Sequence, residues 1–353
     1  GTLDAFVSNT GDYFEAFLGI PGSGLGGQTS RHFFQNLDGT WTDSGVDPNL
    51  ASVFGWGTAA FDYDNDGDTD IAYVGGLDVA LIVESSNPGV ILTNDGAGQF
   101  SYDEEALVSP VAADHVRRNE HGLAVGDLNR DGFVDFVSVS NQNVVPPIPL
   151  VPYAAAIPIP FSSPFNELAA FSPIFAETVM GSGDFVWTGF VPEDGTLAIE
   201  INSADNRNGW VNFELLGSAD LTSDGVVNRN GIGGVVRFRP HRLPAATKPV
   251  MGGSSYASQN SLDLTFGMKK ASRGTVDVLW PGGTRNRLYD VRKFERLLIP
   301  EIPCSYEDDW QNIFVYVRCV TKSLRQLQRA GVINSRYSAR LLVSSVRAYL
   351  ASR

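Results

Sequence analysis

Short apolar runs alternate with turns rich in glycine and aspartate along most of the chain up to residue 302. The runs at 71–74, 136–139 and 197–201 are rich in β-branched and aromatic residues, which favour strands. Beyond residue 302 the period changes to a helical one, with apolar positions at Ile313, Val317, Val320, Leu324 and Leu327. The pattern therefore predicts a mainly β chain that ends in helices.

The terminal segment, 303–353, is predicted to form a helical hairpin. Gly331 follows the last apolar turn as a stop, and Asn334 or Ser335 is suited to cap a second helix through Leu350. From Trp310 onward there is no acidic residue, and the basic residues are Arg318, Lys322, Arg325, Arg329, Arg336, Arg340, Arg347 and Arg353. Three interpretations stay open: packing on the acidic body of the same chain, docking onto another subunit, or anchoring to an anionic surface polymer.

Two acidic turns share the pattern D-x-[DN]-x-D-G-x-x-D, at 62–70 and 127–135. Alternating oxygen donors with glycine at the sixth position are typical of Ca²⁺ loops. The predicted ligands are Asp62, Asp64, Asp66, Asp68 and Asp70 in the first loop, and Asp127, Asn129, Asp131, Phe133 and Asp135 in the second. The seventh residue of each loop, Asp68 or Phe133, would contribute its backbone carbonyl. The alternative is a pair of solvated turns between strands.

The surroundings of these turns differ from those of an EF-hand. An EF-hand needs a bidentate glutamate at position 12, within a helix. Position 12 here is Tyr73 or Ser138, each inside a predicted strand. We therefore expect strand–loop–strand calcium turns in which the ion has a structural role.

A degraded third copy of the pattern occurs at 220–228 and lacks carboxylates at two of the usual four positions. Its candidate ligands are Asp220, Thr222, Asp224 and Asn228. The sequence thus predicts two calcium sites, with this copy as a candidate third.

The two acidic loops are 65 residues apart, and self-similarity at this period is typical of propeller blades. Segments 59–67 and 124–132 resemble the FG-GAP repeat, also called VCBS. The resemblance implies β-propeller-like blades in residues 1–200. This stretch has room for about three or four such units, fewer than the seven that such propellers usually contain. Either the propeller is small, or another chain supplies the remaining blades.

Residues 201–302 resemble the all-β ASPIC/UnbV domain, which follows FG-GAP repeats in secreted bacterial proteins and in the cartilage acidic protein family. The segments that carry the resemblance are 210–215, 228–233, 252–260, 264–267 and 278–283. This resemblance implies calcium-dependent adhesion or matrix association, and it implies no catalytic residues. The proline-rich, uncharged segment 144–165 interrupts the repeats. It is interpreted either as a loop that folds over the core of its own chain or as a segment that docks onto a partner or a second copy.

Charge narrows the range of functions. The net charge is −14, and the first 309 residues contain 18 basic and 40 acidic residues, a net of −22. Nucleic-acid binding is not expected, because it requires a basic surface. A membrane span is not expected, because the sequence contains no uninterrupted apolar stretch of the required length. No signal-peptide pattern is recognised in this sequence, which we interpret as a signal peptide that was never present or was already removed.

Two cysteines, Cys304 and Cys319, are close enough in sequence for a local disulfide, although two free buried thiols remain an alternative. A disulfide and calcium loops of this kind both favour an extracellular or cell-surface location. We expect a secreted calcium-binding surface or matrix protein that acts by adhesion or self-assembly. Its expected partners are other subunits, including copies of itself in a homo-oligomer or filament, or a surface polymer.

The alternative is an enzyme that uses the polar cluster before the second acidic loop. That cluster contains His115, Arg117, Glu120 and His121 and is predicted to be a loop. The four histidines of the chain have no zinc-like spacing, and no nucleophile motif is present. The sequence therefore favours a binding protein over an enzyme.

Overall fold

The computed structural model describes residues 4–8, 31–43, 55–79, 83–103, 117–144, 157–158, 170–173, 175–177, 185–187, 192–203 and 206–353. Its strands up to residue 200 are β1 (Ala5–Val7), β2 (Arg31–Gln35), β3 (Trp41–Asp43), β4 (Gly55–Phe61), β5 (Asp70–Val79), β6 (Val83–Asn94), β7 (Phe100–Tyr102), β8 (Arg117–Gly126), β9 (Asp135–Val144), β10 (Ile157–Pro158), β11 (Ala170–Pro173), β12 (Phe175–Glu177), β13 (Phe185–Trp187), β14 (Pro192–Asp194) and β15 (Leu197–Glu200). Most of the proline-rich segment lies outside the described residues.

The C-terminal part contains seven further strands and two helices among the described residues. The strands are β16 (Gly209–Leu216), β17 (Val235–Pro240), β18 (Ala246–Pro249), β19 (Leu264–Lys269), β20 (Arg273–Leu279), β21 (Arg285–Arg292) and β22 (Glu295–Pro300). The helices are α1 (Ile313–Arg329) and α2 (Ser335–Ala351). The predicted mainly β class is confirmed.

Each acidic loop connects two antiparallel strands. The first joins β4 to β5. β5 also pairs with β6, and β6 pairs with β7, so that these four strands belong to one antiparallel sheet. The second joins β8 to β9, which also pairs with β15. The two sheets pack face to face, and the rings of Phe61 and Phe136 meet edge to face at 5.2 Å. Apolar burial between the sheets holds the two loops side by side.

These sheets do not close into a propeller within the described residues. The C-terminal strands lie against the loops instead. The ring of strands expected from the repeat resemblance is therefore not seen in the described part of the chain.

The C-terminal half has its own core, in which two small sheets and the helices share one apolar cluster. β16 lies between β19, which is antiparallel to it, and β22, which is parallel to it. β17, β18, β20 and β21 form the second sheet. Phe213, Phe238 and Phe266 meet edge to face at 5.4–5.7 Å, an arrangement that aromatic rings favour.

The predicted helical hairpin is confirmed. Val320, Leu324 and Leu327 are buried, as their spacing indicates. Asn312 caps α1, and Asn334, one of the two predicted caps, caps α2 by accepting a hydrogen bond from the Tyr337 amide. Gly331 has a φ of +74°, a conformation that suits glycine after a helix. The hairpin packs on its own chain, and neither helix is long and apolar enough for a bilayer span, within the described residues.

Candidate metal centre

The two acidic loops have the same backbone conformation. We number the positions of each loop 1 to 9, starting from Asp62 or Asp127. Position 4 is left-handed in both loops, with φ of 59° at Asn65 and 64° at Arg130. Position 6 is Gly67 or Gly132, with φ of 93° or 94°. The sharp turn expected at this glycine is therefore present in both loops.

In the first loop, backbone amides donate to the side chains of the acidic residues. The amides of positions 5, 6 and 7 donate to Asp64, Asp62 and Asp66 at 3.0, 3.0 and 2.9 Å. The amide of position 2 donates to Asp70 at 2.7 Å. Each carboxylate is thus oriented by the backbone, as in Asx turns.

The second loop repeats this pattern of donors and acceptors at every one of these positions. Its amides at positions 5, 6 and 7 donate to Asn129, Asp127 and Asp131 at 3.0, 2.8 and 2.8 Å. The amide at position 2 donates to Asp135 at 2.7 Å. A solvated turn does not require such a match, so the two loops are structural copies.

An asparagine from a neighbouring strand closes each loop, and neither was identified from the sequence. The Asn94 amide donates to Asp70 at 2.8 Å, and its side chain donates to the carbonyl of position 8 at 3.0 Å. Asn202 makes the same two contacts in the second loop, to Asp135 at 2.9 Å and to Val134 at 3.3 Å. The two asparagines are 108 residues apart rather than 65, because a longer segment precedes β15. Sequence periodicity therefore did not reveal the second one.

The first loop brings carboxylate oxygens into one cluster. Oxygens of Asp62, Asp64 and Asp70 all lie within 4.8 Å of one another. Desolvation raises the pKa of Asp62 to about 7 and that of Asp70 to about 8. The Oδ1 atom of Asp62 is buried and accepts no hydrogen bond from any residue that the structure describes. A buried carboxylate oxygen without a donor is costly, and a cation would satisfy it.

The donor set therefore fits a hard divalent cation. Calcium accepts six to eight oxygens at about 2.3–2.6 Å, including carboxylates and backbone carbonyls. Two lysine ammonium groups act near the five carboxylates of this loop, Lys269 beside Asp66 and Asp68 and Lys248 near Asp62 and Asp70. Three negative charges remain uncompensated by these two lysines, which suits a doubly charged ion.

The second loop has a corresponding buried oxygen. The side chain of Asp127 is only 2% exposed, and its Oδ1 atom has no hydrogen-bond partner among the described residues. Its Oδ2 atom accepts from Gly132 and pairs with Arg296. Desolvation raises the pKa of Asp127, while Arg296 opposes this rise. This loop has fewer carboxylates than the first, and one of them is shared with an arginine.

Both loops contact the C-terminal half of the chain through one surface. We call Trp210, Lys248, Gly267, Lys269 and Arg296 the docking face. The Gly267 amide donates to Asp62 at 2.8 Å, and the Lys269 amide donates to the carbonyl of Asn65 at 3.2 Å. The Asn65 side chain in turn donates to the carbonyl of Gly132 in the other loop, at 3.0 Å. The candidate metal centre is thus also a junction between two parts of the fold.

Lys248 is a half-buried cation of the docking face. Its ammonium group donates to the carbonyl of Thr265 at 2.7 Å and lies over the Phe266 ring at 5.0 Å. Burial lowers the pKa of Lys248, whereas Asp62 and Asp70 act in the opposite direction. Two groups of the docking face therefore act on the Asp62 carboxylate. The Gly267 amide donates a hydrogen bond to it, and the positive charge of Lys248 opposes the rise of its pKa.

Three of the four candidate side chains of the degraded third copy, those of Thr222, Asp224 and Asn228, have protein partners. Asp224 forms an ion pair with Lys322 of α1 at 2.8 Å, and Thr222 contacts the Ser218 hydroxyl at 3.1 Å. Asn228 bonds both the amide and the carbonyl of Ile232, while Asp220 adopts a left-handed φ of 64°. The side chains of Thr222, Asp224 and Asn228 are thus engaged by protein groups, whereas each full copy has one buried oxygen without a partner in the described part of the chain.

The polar cluster proposed for the enzyme alternative is mostly strand. Residues 117–126 form β8, so the prediction of a loop there is wrong, while His115 lies outside the described residues. Glu120 is buried and accepts a hydrogen bond from Ser138 at 2.9 Å. The His121 ring packs near Trp56 and Tyr256 at 5.7 and 6.1 Å. β-Pairing of this segment with β9 explains why it is extended rather than a surface loop.

Cys304 and Cys319 form a disulfide in the structure, with their Cα atoms 6.2 Å apart. The bond joins the segment after β22 to α1. Cys304 is buried in the core that the helices share with the C-terminal sheets. The disulfide therefore ties the helical hairpin to the same half of the chain that carries the docking face.

Comparison with known families identifies part of the chain. Residues 225–304 match the family described as ASPIC and UnbV. No curated protein matches the chain. The match includes Lys248, Gly267, Lys269 and Arg296 of the docking face. The chain is thus a mainly β protein that contains an ASPIC/UnbV domain, and this domain contacts both acidic loops.

Proposed function

We propose that the chain is a secreted calcium-binding protein of a cell surface or extracellular matrix, which acts by adhesion or self-assembly. The acidic loops, with their resemblance to FG-GAP repeats, would each hold one structural Ca²⁺. The observation that supports this most directly is the pair of buried, unpartnered oxygens of Asp62 and Asp127 in two loops of matching geometry. The disulfide is consistent with an oxidising compartment.

In this proposal calcium joins the two sheets that carry the acidic loops to the ASPIC/UnbV domain. Without an ion, the negative charges of the first loop repel one another next to the docking face. With an ion, the loop keeps the conformation in which Asp62 accepts the Gly267 amide. The outer surfaces of the joined molecule are then held in a fixed arrangement for partners, either other subunits or a surface polymer.

Thermal unfolding in calcium and in EDTA tests the proposal. An ion that binds only the folded state at about 100 times its Kd stabilises that state by about 2.7 kcal/mol. We expect EDTA to lower the Tm by several degrees and to abolish assembly measured by sedimentation. An unchanged melting curve in EDTA would contradict a structural role for calcium.

The substitution Asp70→Asn provides a site-specific version of this experiment. The Tyr63 and Asn94 amides donate to different oxygens of Asp70, so asparagine keeps an acceptor for one of them, and the substitution removes a charge from the cluster. We expect it to reduce the stabilisation by calcium and to raise the calcium Kd by about tenfold or more. The control Asp263→Asn removes the same charge from an exposed residue outside the loops and should keep the wild-type calcium response. Equal responses in the two variants would contradict the assignment of Asp70 as a ligand.

A further inference from the structure

A groove lined by arginines lies between the ASPIC/UnbV domain and the start of α2. Its volume is about 400 Å³. β20, β21 and β22 form one side and the first turns of α2 form the other. The lining residues are Arg273, Asp290, Arg292, Glu295, Asn334, Arg336, Tyr337 and Arg340. Four guanidinium groups and two carboxylates therefore face the same space.

The two carboxylates of the groove hold particular arginines in place. Glu295 pairs with Arg340 at 3.1 Å. Asp290 pairs with Arg273 at 3.8 Å and with Arg347 at 3.2 Å. These contacts link α2 to the domain, and they compensate the charge of the arginines involved.

Arg292 and Arg336 differ from these neighbours. Each is exposed, and neither side chain has an acidic partner within the described residues. They lie on opposite sides of the groove, Arg292 at the end of β21 and Arg336 in the first turn of α2. Two guanidinium groups on facing walls can bind two anionic groups of one ligand, each with paired hydrogen bonds.

The field of α2 adds to this positive charge. The helix N-terminus carries a partial positive charge, and the first turn of α2 contains no acidic residue that would offset it. The side chain of Asn334 caps the helix by accepting from the Tyr337 amide at 2.9 Å. The groove is therefore electropositive on a chain whose net charge is −14.

We propose that this groove binds an anionic polysaccharide, through carboxylate or sulfate groups that contact Arg292 and Arg336. An extended polymer fits an open groove with exposed arginines, because several weak contacts along one chain add to a useful affinity. A nucleic acid fits less well. The one aromatic residue in the lining is Tyr337, whose hydroxyl already donates to Leu298 at 2.7 Å, so an exposed ring for base stacking is missing from the described lining.

This inference deepens the proposed adhesive role by naming a ligand class, but the groove does not include the calcium loops. The test measures binding of the full chain to immobilised heparin, a sulfated probe, and to polygalacturonate, a carboxylate probe, with dextran as the neutral control. Binding to at least one acidic probe is expected at low ionic strength, with a decrease as salt is added. Absence of binding to both acidic probes, or equal binding to dextran, would overturn the proposal.

The decisive comparison uses two double variants that remove the same amount of positive charge from exposed arginines. Arg292→Gln with Arg336→Gln changes the groove, whereas Arg318→Gln with Arg325→Gln changes exposed positions of α1 outside it. We expect about a tenfold loss of affinity for the groove variant and less than a twofold loss for the control. Equal losses would show general attraction to the basic helices and would refute a defined groove.

Two further measurements separate this inference from the calcium proposal. The single variant Arg336→Gln should lose part of the affinity while its Tm stays at the wild-type value, which excludes unfolding as the cause. A single-stranded oligonucleotide that competes as well as heparin at equal charge would overturn the assignment to polysaccharide. A calcium-dependent Tm with no polysaccharide binding would refute the groove alone, whereas polysaccharide binding with no effect of calcium on the Tm would refute the calcium proposal alone.

Discussion

At the scale of single residues, Gly267 allows the ASPIC/UnbV domain to approach the first acidic loop. A Cβ atom at this position would lie 2.3 Å from the Asp62 Oδ2 atom and 2.4 Å from the carbonyl carbon of Asn65. Such distances are far below van der Waals contact. The hydrogen bond from the Gly267 amide to Asp62 therefore depends on the absence of a side chain.

The substitution Gly267→Ala should separate these groups. We expect the free energy of unfolding to fall by about 1–3 kcal/mol, as in other overpacked sites, and calcium binding to weaken with it. Gly252→Ala is the matched control, because its added Cβ would make only ordinary contacts with Ile232, at 3.4–3.5 Å. Chemical denaturation in calcium measures both effects. If the two alanine variants were equally stable, close packing at Gly267 would not matter.

The sequence indicated the candidate ligands because the calcium pattern lies within nine consecutive residues. It did not indicate Lys269, Arg296 or Asn202, because each is far in sequence from the loop residue that it contacts. Lys269 is 201 residues from Asp68, Arg296 is 169 residues from Asp127, and Asn202 is 67 residues from Asp135. Their side chains fit no local pattern, and only the packing of the sheets brings them to the loops. The acidic residues of the two loops were therefore predictable from the sequence, whereas the distant residues that contact them were not.

At the scale of elements, the helical hairpin is fixed to the ASPIC/UnbV domain by apolar packing, ion pairs and the disulfide. The ring of Tyr316 stacks on that of Tyr349 with centroids 4.9 Å apart, so α1 and α2 are also held to each other. Helical spacing and the cap at Asn334 made both helices predictable. The strands before residue 201 were predictable as antiparallel pairs, whereas the packing of their sheets depends on contacts between distant segments.

Replacing both cysteines by serine should loosen this attachment. The disulfide closes a loop of 15 residues, for which the chain-entropy estimate is about 3 kcal/mol of stability. We expect a loss of that order in chemical denaturation of the variant Cys304→Ser with Cys319→Ser. The calcium-dependent change in Tm should persist, because the cysteines are not part of the loops. Wild-type protein of equal stability with and without reducing agent would contradict this expectation.

At the scale of the whole molecule, negative charge is concentrated before residue 310 and positive charge after it. The acidic loops contact the domain through Gly267, Lys269 and Arg296, and the basic helices pack on another part of the same domain. The ASPIC/UnbV domain therefore connects a candidate cation site with a candidate anion site. In the proposed arrangement, calcium would fix the position of the domain, and the arginine groove would remain accessible to an acidic polymer.

Hydrogen–deuterium exchange with and without EDTA tests most directly whether calcium joins the sheets that carry the acidic loops to the ASPIC/UnbV domain. We expect EDTA to accelerate exchange in residues 62–70 and 127–135, and also in residues 264–269, where the amides of Gly267 and Lys269 donate to the first loop. Residues 316–327 of α1 should exchange at an unchanged rate. Acceleration confined to the acidic loops, or no change in residues 264–269, would contradict the claim.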